Sequence, residues 1–157
     1  MTITIGIDPG QTGAIASLNK YGQVVELEDM PVMARIHGKG QQVDASRLAS
    51  ILLSMKDGNS ATVHLEQVSA MPGQGVSATF HFGESVGIVL GVCGALGLPV
   101  RMVTPQRWKK KAGLIKKDKD AARTLAIQSH PDMVDMLKRK KDCGRADAIL
   151  IAEFGGV

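Results

Sequence analysis

The segment Thr2–Asp8 constrains this chain more than any other. Ile3, Ile5 and Ile7 alternate with Thr4, Gly6 and Asp8, the two-residue period of a strand with one buried face. The strand ends on an acid, followed by a turn marked by Gly10 and Gly13. The pattern returns downstream, where Val63 and Leu65 oppose Thr62, His64 and Glu66. Both acids close a strand and lie on its less apolar face. If the two strands are parallel neighbours, the carboxylates leave one sheet edge roughly 5 Å apart at the backbone. Carboxylates that close repel unless a cation lies between them or one is protonated.

The rest of the chain supplies partners for such a sheet. Ala14–Leu18 and Gln23–Glu28 read as strands joined by a hairpin at Lys20-Tyr21-Gly22, and residues 31–42 read as an exposed loop. Asp44 is placed to cap a helix reaching Lys56, with Leu48, Ile51, Leu52 and Met55 on one face. A small-residue loop over 69–75 leads to a helix over 77–97, then to a strand over 99–103. Thr104-Pro105 is a cap-plus-proline helix start, and further helices are expected over 118–129 and 145–154. Three strands, helix, strand, helix, strand, helices: the first three strands fit an antiparallel meander, and the later two join in parallel through helical crossovers. That is the order of an RNase H-like α/β fold, a mixed five-stranded sheet flanked by helices, with 157 residues forming one domain.

Charge is unevenly distributed. Residues 101–145 hold 14 of the 19 Lys and Arg and five acids, whereas the remainder holds five basic and ten acidic residues. Such a basic block suits a polyanion, although solvated helix faces give the same composition. The N-terminus lacks the basic and apolar regions of a secretory signal. The stretch Val86–Leu98, interrupted by glycines, is short for a membrane span. Cys93 and Cys143 are too far apart in sequence for a metal clip. A cytoplasmic protein with reduced thiols and no membrane association is expected.

Carboxylate oxygens suit Mg²⁺, with Mn²⁺ as a substitute. Two such ions about 4 Å apart can activate a water and stabilise the leaving 3′ oxygen of a phosphodiester. Against this, a strand-end acid taken alone is more often a turn cap or a solvated residue.

Four motifs in order resemble RuvC-type Holliday junction resolvases: Ile5-Gly6-Ile7-Asp8-Pro9-Gly10-Gln11-Thr12-Gly13, Leu65-Glu66-Gln67-Val68 with the Gly83–Gly91 helix, Pro99-Val100 through Thr104-Pro105-Gln106-Arg107-Trp108-Lys109-Lys110, and Arg145-Ala146-Asp147-Ala148-Ile149-Leu150-Ile151-Ala152. The third is similar to a segment of phage-borne members. The resemblance implies metal-binding catalytic carboxylates at Asp8, Glu66 and Asp147. It also implies a homodimer that nicks opposed strands of a four-way DNA junction. The basic clusters then become candidates for DNA contact: Lys109, Lys110, Lys111, Lys116, Lys117 and Lys119 along the arms, Arg107 and Arg123 for directional contacts, and Lys140 and Lys141 beside the metals. Any one lysine taken singly reads more readily as surface solubility than as a contact.

Two positions depart from the family pattern. Many relatives carry an acid or histidine three residues before the helix Asp, where this chain has Gly144. Asp142, about 140° around a continuous helix from Asp147, is either a fourth ligand or an N-cap. Some cellular relatives also place an aromatic three residues after the Glu, where this chain has Ser69; Phe80 or His81 can substitute, while Phe80 and Phe82 read at least as well as core. Trp108 either stacks on a base or anchors its helix. His64 shares the face of Glu66 but reads first as a structural histidine. The glycines at 83, 87, 91 and 94 flatten a helix face against the sheet or against a second subunit. Other readings are a sugar-kinase phosphate loop, for which the chain is too short, a YqgF-like RNA-processing nuclease of the same fold, and a module that binds junctions without cutting.

Overall fold

A computed structural model describes all 157 residues. Its centre is a five-stranded sheet in the order β3-β2-β1-β6-β7, formed by β1 (Thr2–Asp8), β2 (Ala14–Leu18), β3 (Val24–Asp29), β6 (Ser60–Glu66) and β7 (Val100–Val103). The first three form the antiparallel meander, and β6 and β7 run parallel to β1. The register pairs Ile7 with Leu65, so Asp8 and Glu66 leave the sheet side by side, as the strand phase requires.

Each face of the sheet carries its own core. Ile3, Ile5, Ile7, Val63 and Leu65 point to one face, where α1 (Ala45–Lys56) contributes Leu48 and Leu52 and α2 (Val76–Ala95) contributes Val89 and Cys93. Asp44 caps α1, accepting the Arg47 N–H at 3.0 Å. The other face is covered by α6 (Cys143–Phe154), flanked by α3 (Pro105–Lys111) and α4 (Asp120–Ser129). Ala14, Ala16, Trp108, Leu137, Ile149 and Leu150 are buried there. Thr4, Gly6 and Asp8 in β1, and His64 and Glu66 in β6, belong to this second face.

Two regions differ from the sequence expectation. Residues 31–42 are not simply a loop, because Val32–Ala34 (β4) pairs with Gln41–Val43 (β5) as a separate hairpin. Its strands are three residues each, too short to show a periodicity. Between α4 and α6 the chain forms two 3₁₀ turns, Pro131–Met133 and Lys140–Asp142, around a four-residue helix, α5 (Val134–Leu137).

The glycine stripe of α2 does not lie against the sheet. Ser85, Val89 and Cys93 face inward, while Gly83, Gly87, Gly91 and Gly94 meet open space. The larger side chains fill the core interface, and the glycines are left on the opposite side. α2 is also longer than Val86–Leu98 suggests. Its 20 residues are long and apolar enough to cross a membrane by length and composition, and 17% of its apolar window is buried.

Candidate active site

Close backbone packing brings the third acid to the sheet edge. A Cβ on Gly6 would stand 2.1 Å from the Ala148 carbonyl oxygen and 2.4 Å from the Ala152 nitrogen. Only glycine therefore lets α6 lie this close to β1. At the start of α6, a Cβ on Gly144 would stand 2.6 Å from the Thr12 carbonyl oxygen. The helix seats on the turn that follows Asp8, and position 144 has no room for an acid. Asp147, one turn into the helix, then faces Asp8 and Glu66.

These three acids feel one another. Asp147 is pushed up to about 7, by burial first and then by the charges of Asp8 and Glu66. Asp8 rises to about 6 through burial and the Glu66 charge, with the Gly10 N–H acting the other way. Burial also raises Glu66, opposed by a hydrogen bond from Trp108. Lys109 lowers all three and is the cation they share.

The donor set fits a hard divalent cation. Three carboxylates sit partly out of water with one lysine for compensation, so a cation among them would relieve both desolvation and repulsion. As they stand, no three His, Cys, Asp or Glu side chains converge tightly enough to enclose an ion. Closing the cage requires rotamer adjustment, as expected of carboxylates that repel one another. Asp8, Glu66 and Asp147 are the residues able to hold the ions.

Asp142 is differently engaged. Its side chain is 2% exposed, and Oδ2 accepts the Arg139 backbone N–H at 2.9 Å while Oδ1 accepts from the Arg139 guanidinium at 2.9 Å. Arg139 holds it well below the usual carboxylate range. It stands at the N-cap position of α6, yet its carboxylate turns back onto the preceding 3₁₀ turn and does not cap the helix. A metal-ligand role would require breaking this pair.

The basic candidates divide into two groups. Lys109, Lys116, Lys117 and Lys119 line a cleft of about 360 Å³ together with Cys143 and Asp147. Arg107, Lys110, Lys140 and Lys141 are exposed. Lys111 is also exposed, but its ammonium donates to the Gly156 carbonyl. Arg123 does not match its expected role as a directional DNA contact. It donates twice to Asp120 and also to the Leu137 and Lys138 carbonyls, which ties α4 to the α5 region and leaves its fork engaged. The basic block alone does not reveal which arginine is structural, because its two carbonyl partners are 14 and 15 residues away.

His64 is structural: Nδ1 lies 3.2 and 3.1 Å from the Ile151 and Ala152 carbonyl oxygens, fastening β6 to α6. Trp108 is fully buried, which excludes base stacking. Its indole N–H donates to Glu66 Oε1 at 2.8 Å, a contact that no local spacing announces. Both cysteines are free, Cys93 buried and Cys143 exposed.

Sheet order and flanking helices give the chain an RNase H-like fold, with the three acids at one edge of its sheet. No protein-family model matches it. Over 92 residues, 58% of the chain, it is 38% identical to the chloroplastic Holliday junction resolvase MOC1 of Chlamydomonas reinhardtii. The match spans 10% of that longer protein. Among solved structures, T. thermophilus RuvC in complex with a Holliday junction substrate aligns with a TM-score of 0.59 at 17% identity, covering 97% of this chain and 90% of that one. A second Thermus thermophilus RuvC structure gives 0.57 at 16% identity, covering 97% and 93%. The resemblance to Holliday junction resolvases read from the motifs is met by the sequence match to MOC1, and the expected fold by the RuvC structures.

Proposed function

We propose that the chain is a metal-dependent endodeoxyribonuclease that cuts Holliday junctions or other branched DNA. The convergence of Asp8, Glu66 and Asp147 beside a lysine-lined cleft on a RuvC-type fold carries this reading. Buried acids facing DNA repel phosphate unless cations intervene, so a module that only grips DNA has no use for them. Two bound Mg²⁺ ions, or Mn²⁺ in their place, would supply activation of the attacking water and stabilisation of the leaving 3′ oxygen.

The protein's own part is to hold and orient. Asp8 and Glu66 are fixed by adjacent strand ends and Asp147 by the helix seated on them. Lys109 brings its ammonium toward the same acids and toward any phosphate entering the cleft. The exposed lysines at 110, 116, 117 and 119 neutralise the DNA backbone and make binding steeply salt-dependent.

The same reading includes a homodimer, since a four-way junction offers two equivalent strands and paired cuts need two sites. The open glycine face of α2, with Phe80 67% and Leu90 40% exposed, suits the same face of a second copy. Phe80 is also the aromatic available to stack at a junction centre in place of the one absent at Ser69. Phage-type character remains part of this proposal, resting on the Thr104–Lys110 motif.

Incubation with labelled four-way junction, linear duplex and structured RNA, with and without Mg²⁺, tests the proposal. Junction-selective, Mg²⁺-dependent cutting is expected. Cleavage of RNA alone would assign the chain to RNA processing, and junction binding without cutting at any Mg²⁺ level would make it a binding module.

A further inference from the structure

We infer that Trp108 is a positioning residue that fixes the orientation of the Glu66 carboxylate, beyond its part in the core. The inference rests on the reading of Glu66 as a metal-holding carboxylate. Indole offers one donor and no acceptor, and Trp108 is fully buried, so its N–H has to find a partner inside the protein. The partner is Glu66 Oε1 at 2.8 Å, a short bond of the kind made to an ionised acceptor.

The elements around the bond make it rigid. β7 pairs with β6 so that Val103 lies opposite Glu66, and Gln67 N–H donates to the Val103 carbonyl at 2.7 Å. Thr104 then caps α3, accepting the Arg107 N–H at 3.3 Å, with Pro105 fixing the first turn. Trp108 is therefore one turn past a strand end that is locked in register with Glu66. Its ring lies in the same core cluster as Val103, Leu137 and Leu150 and cannot swing. A rigid donor occupying one site on Oε1 leaves Oε2 and the remaining lone pair of Oε1 for a cation. Partners of this kind orient metal ligands, and losing one typically costs about 10–100-fold in metal affinity or activity. The adjacent Lys109, whose Nζ lies 5.4 Å from the Trp108 ring centroid, is carried on the same helix.

Trp108 is the only tryptophan, so the bond can be followed directly. In ¹⁵N-labelled full-length protein it gives a single indole N–H resonance, expected to move on addition of Mg²⁺ and to lose that response in Glu66→Gln. Trp108→Phe keeps most of the ring volume and deletes the donor. Calorimetric Mn²⁺ titration without DNA should show affinity at least about ten-fold weaker, and raised Mg²⁺ should recover cleavage. An indole resonance indifferent to saturating Mg²⁺, or a folded Trp108→Phe protein with unchanged Mn²⁺ affinity, overturns the inference. If Trp108→Phe fails to fold, the resonance and the Glu66→Gln control still decide. Metal-linked movement of the indole in a protein that cuts no DNA would uphold the positioning role while refuting the nuclease reading.

Discussion

Replacing Asp147 with Asn should make the metal-free protein more stable. The Asp147 carboxyl sits at about 7 in the fold against an ordinary 3.8, because burial and the charges of Asp8 and Glu66 oppose its ionisation. At 1.36 kcal/mol per pKa unit, that difference sets a ceiling of about 4 kcal/mol for ionising it above neutral pH. Repulsion between Asp147 and Asp8 is one energy shared by both groups, and the unpaired carboxylate can relax toward the cleft, so about 2 kcal/mol is the realistic gain. For a chain of this length that corresponds to about 4–8 °C in melting temperature. The pH dependence fixes the sign. The folded-state pKa lies above the unfolded one, so the cost grows as pH rises from about 4 and is complete above about 7. Thermal melts in chelator at pH 8 should therefore show Asp147→Asn above the wild type, with the gap closing toward pH 4. Mg²⁺ should stabilise the wild type more than the variant. A variant that melts lower at pH 8, or a gap that ignores pH, would refute the picture of crowded, uncompensated acids.

Metal affinity should fall as pH drops from about 7 through 6, since Asp147 and then Asp8 take up protons that compete with the cation; Mn²⁺ calorimetry between pH 5.5 and 8 reads this, and a flat profile would count against those ligands. Gly144→Asp should destabilise by about 1–3 kcal/mol through overpacking against the Thr12 carbonyl; chemical denaturation measures it, and unchanged stability would mean that α6 does not seat as described. Replacing Lys116, Lys117 and Lys119 together with Ala should weaken junction binding and lower the salt slope by up to about 3, while Arg123→Ala should chiefly lower stability. Gly87→Lys on the open face of α2 should give a monomer in sedimentation while leaving the melting temperature nearly unchanged; a monomeric wild type would remove the dimer from the proposal.

Much of this arrangement could be read from the residues because it rests on local periodicity. The two-residue alternation ending on Asp8 and Glu66 settles which face each acid leaves, and parallel pairing follows from the helix between the strands. Asp44 and Thr104-Pro105 announce their helices by capping chemistry that acts within four residues. What could not be read depends on distant contacts or on irregular turns. The carboxylate of Asp142 looks available in a linear sequence, and only the 3₁₀ turn before α6 brings Arg139 back onto it. Arg123 loses its fork to carbonyls of a segment with no periodic signal. The glycines of α2 show a flat face without showing which way it points, since small residues suit a tight contact on either side. Gly144 looks like a missing ligand, whereas the structure gives its reason: a Cβ there would collide with the turn that carries Asp8.

The central claim is that Asp8, Glu66 and Asp147 form one metal-dependent cutting site. The most direct measurement is strand-resolved cleavage of a labelled four-way junction by the wild type and by Asp8→Asn, Glu66→Gln and Asp147→Asn, with junction binding measured in parallel. Symmetric nicks that need Mg²⁺ and vanish in all three variants, with binding retained, are the predicted result. Wild-type cutting rates in any one of the three would contradict it.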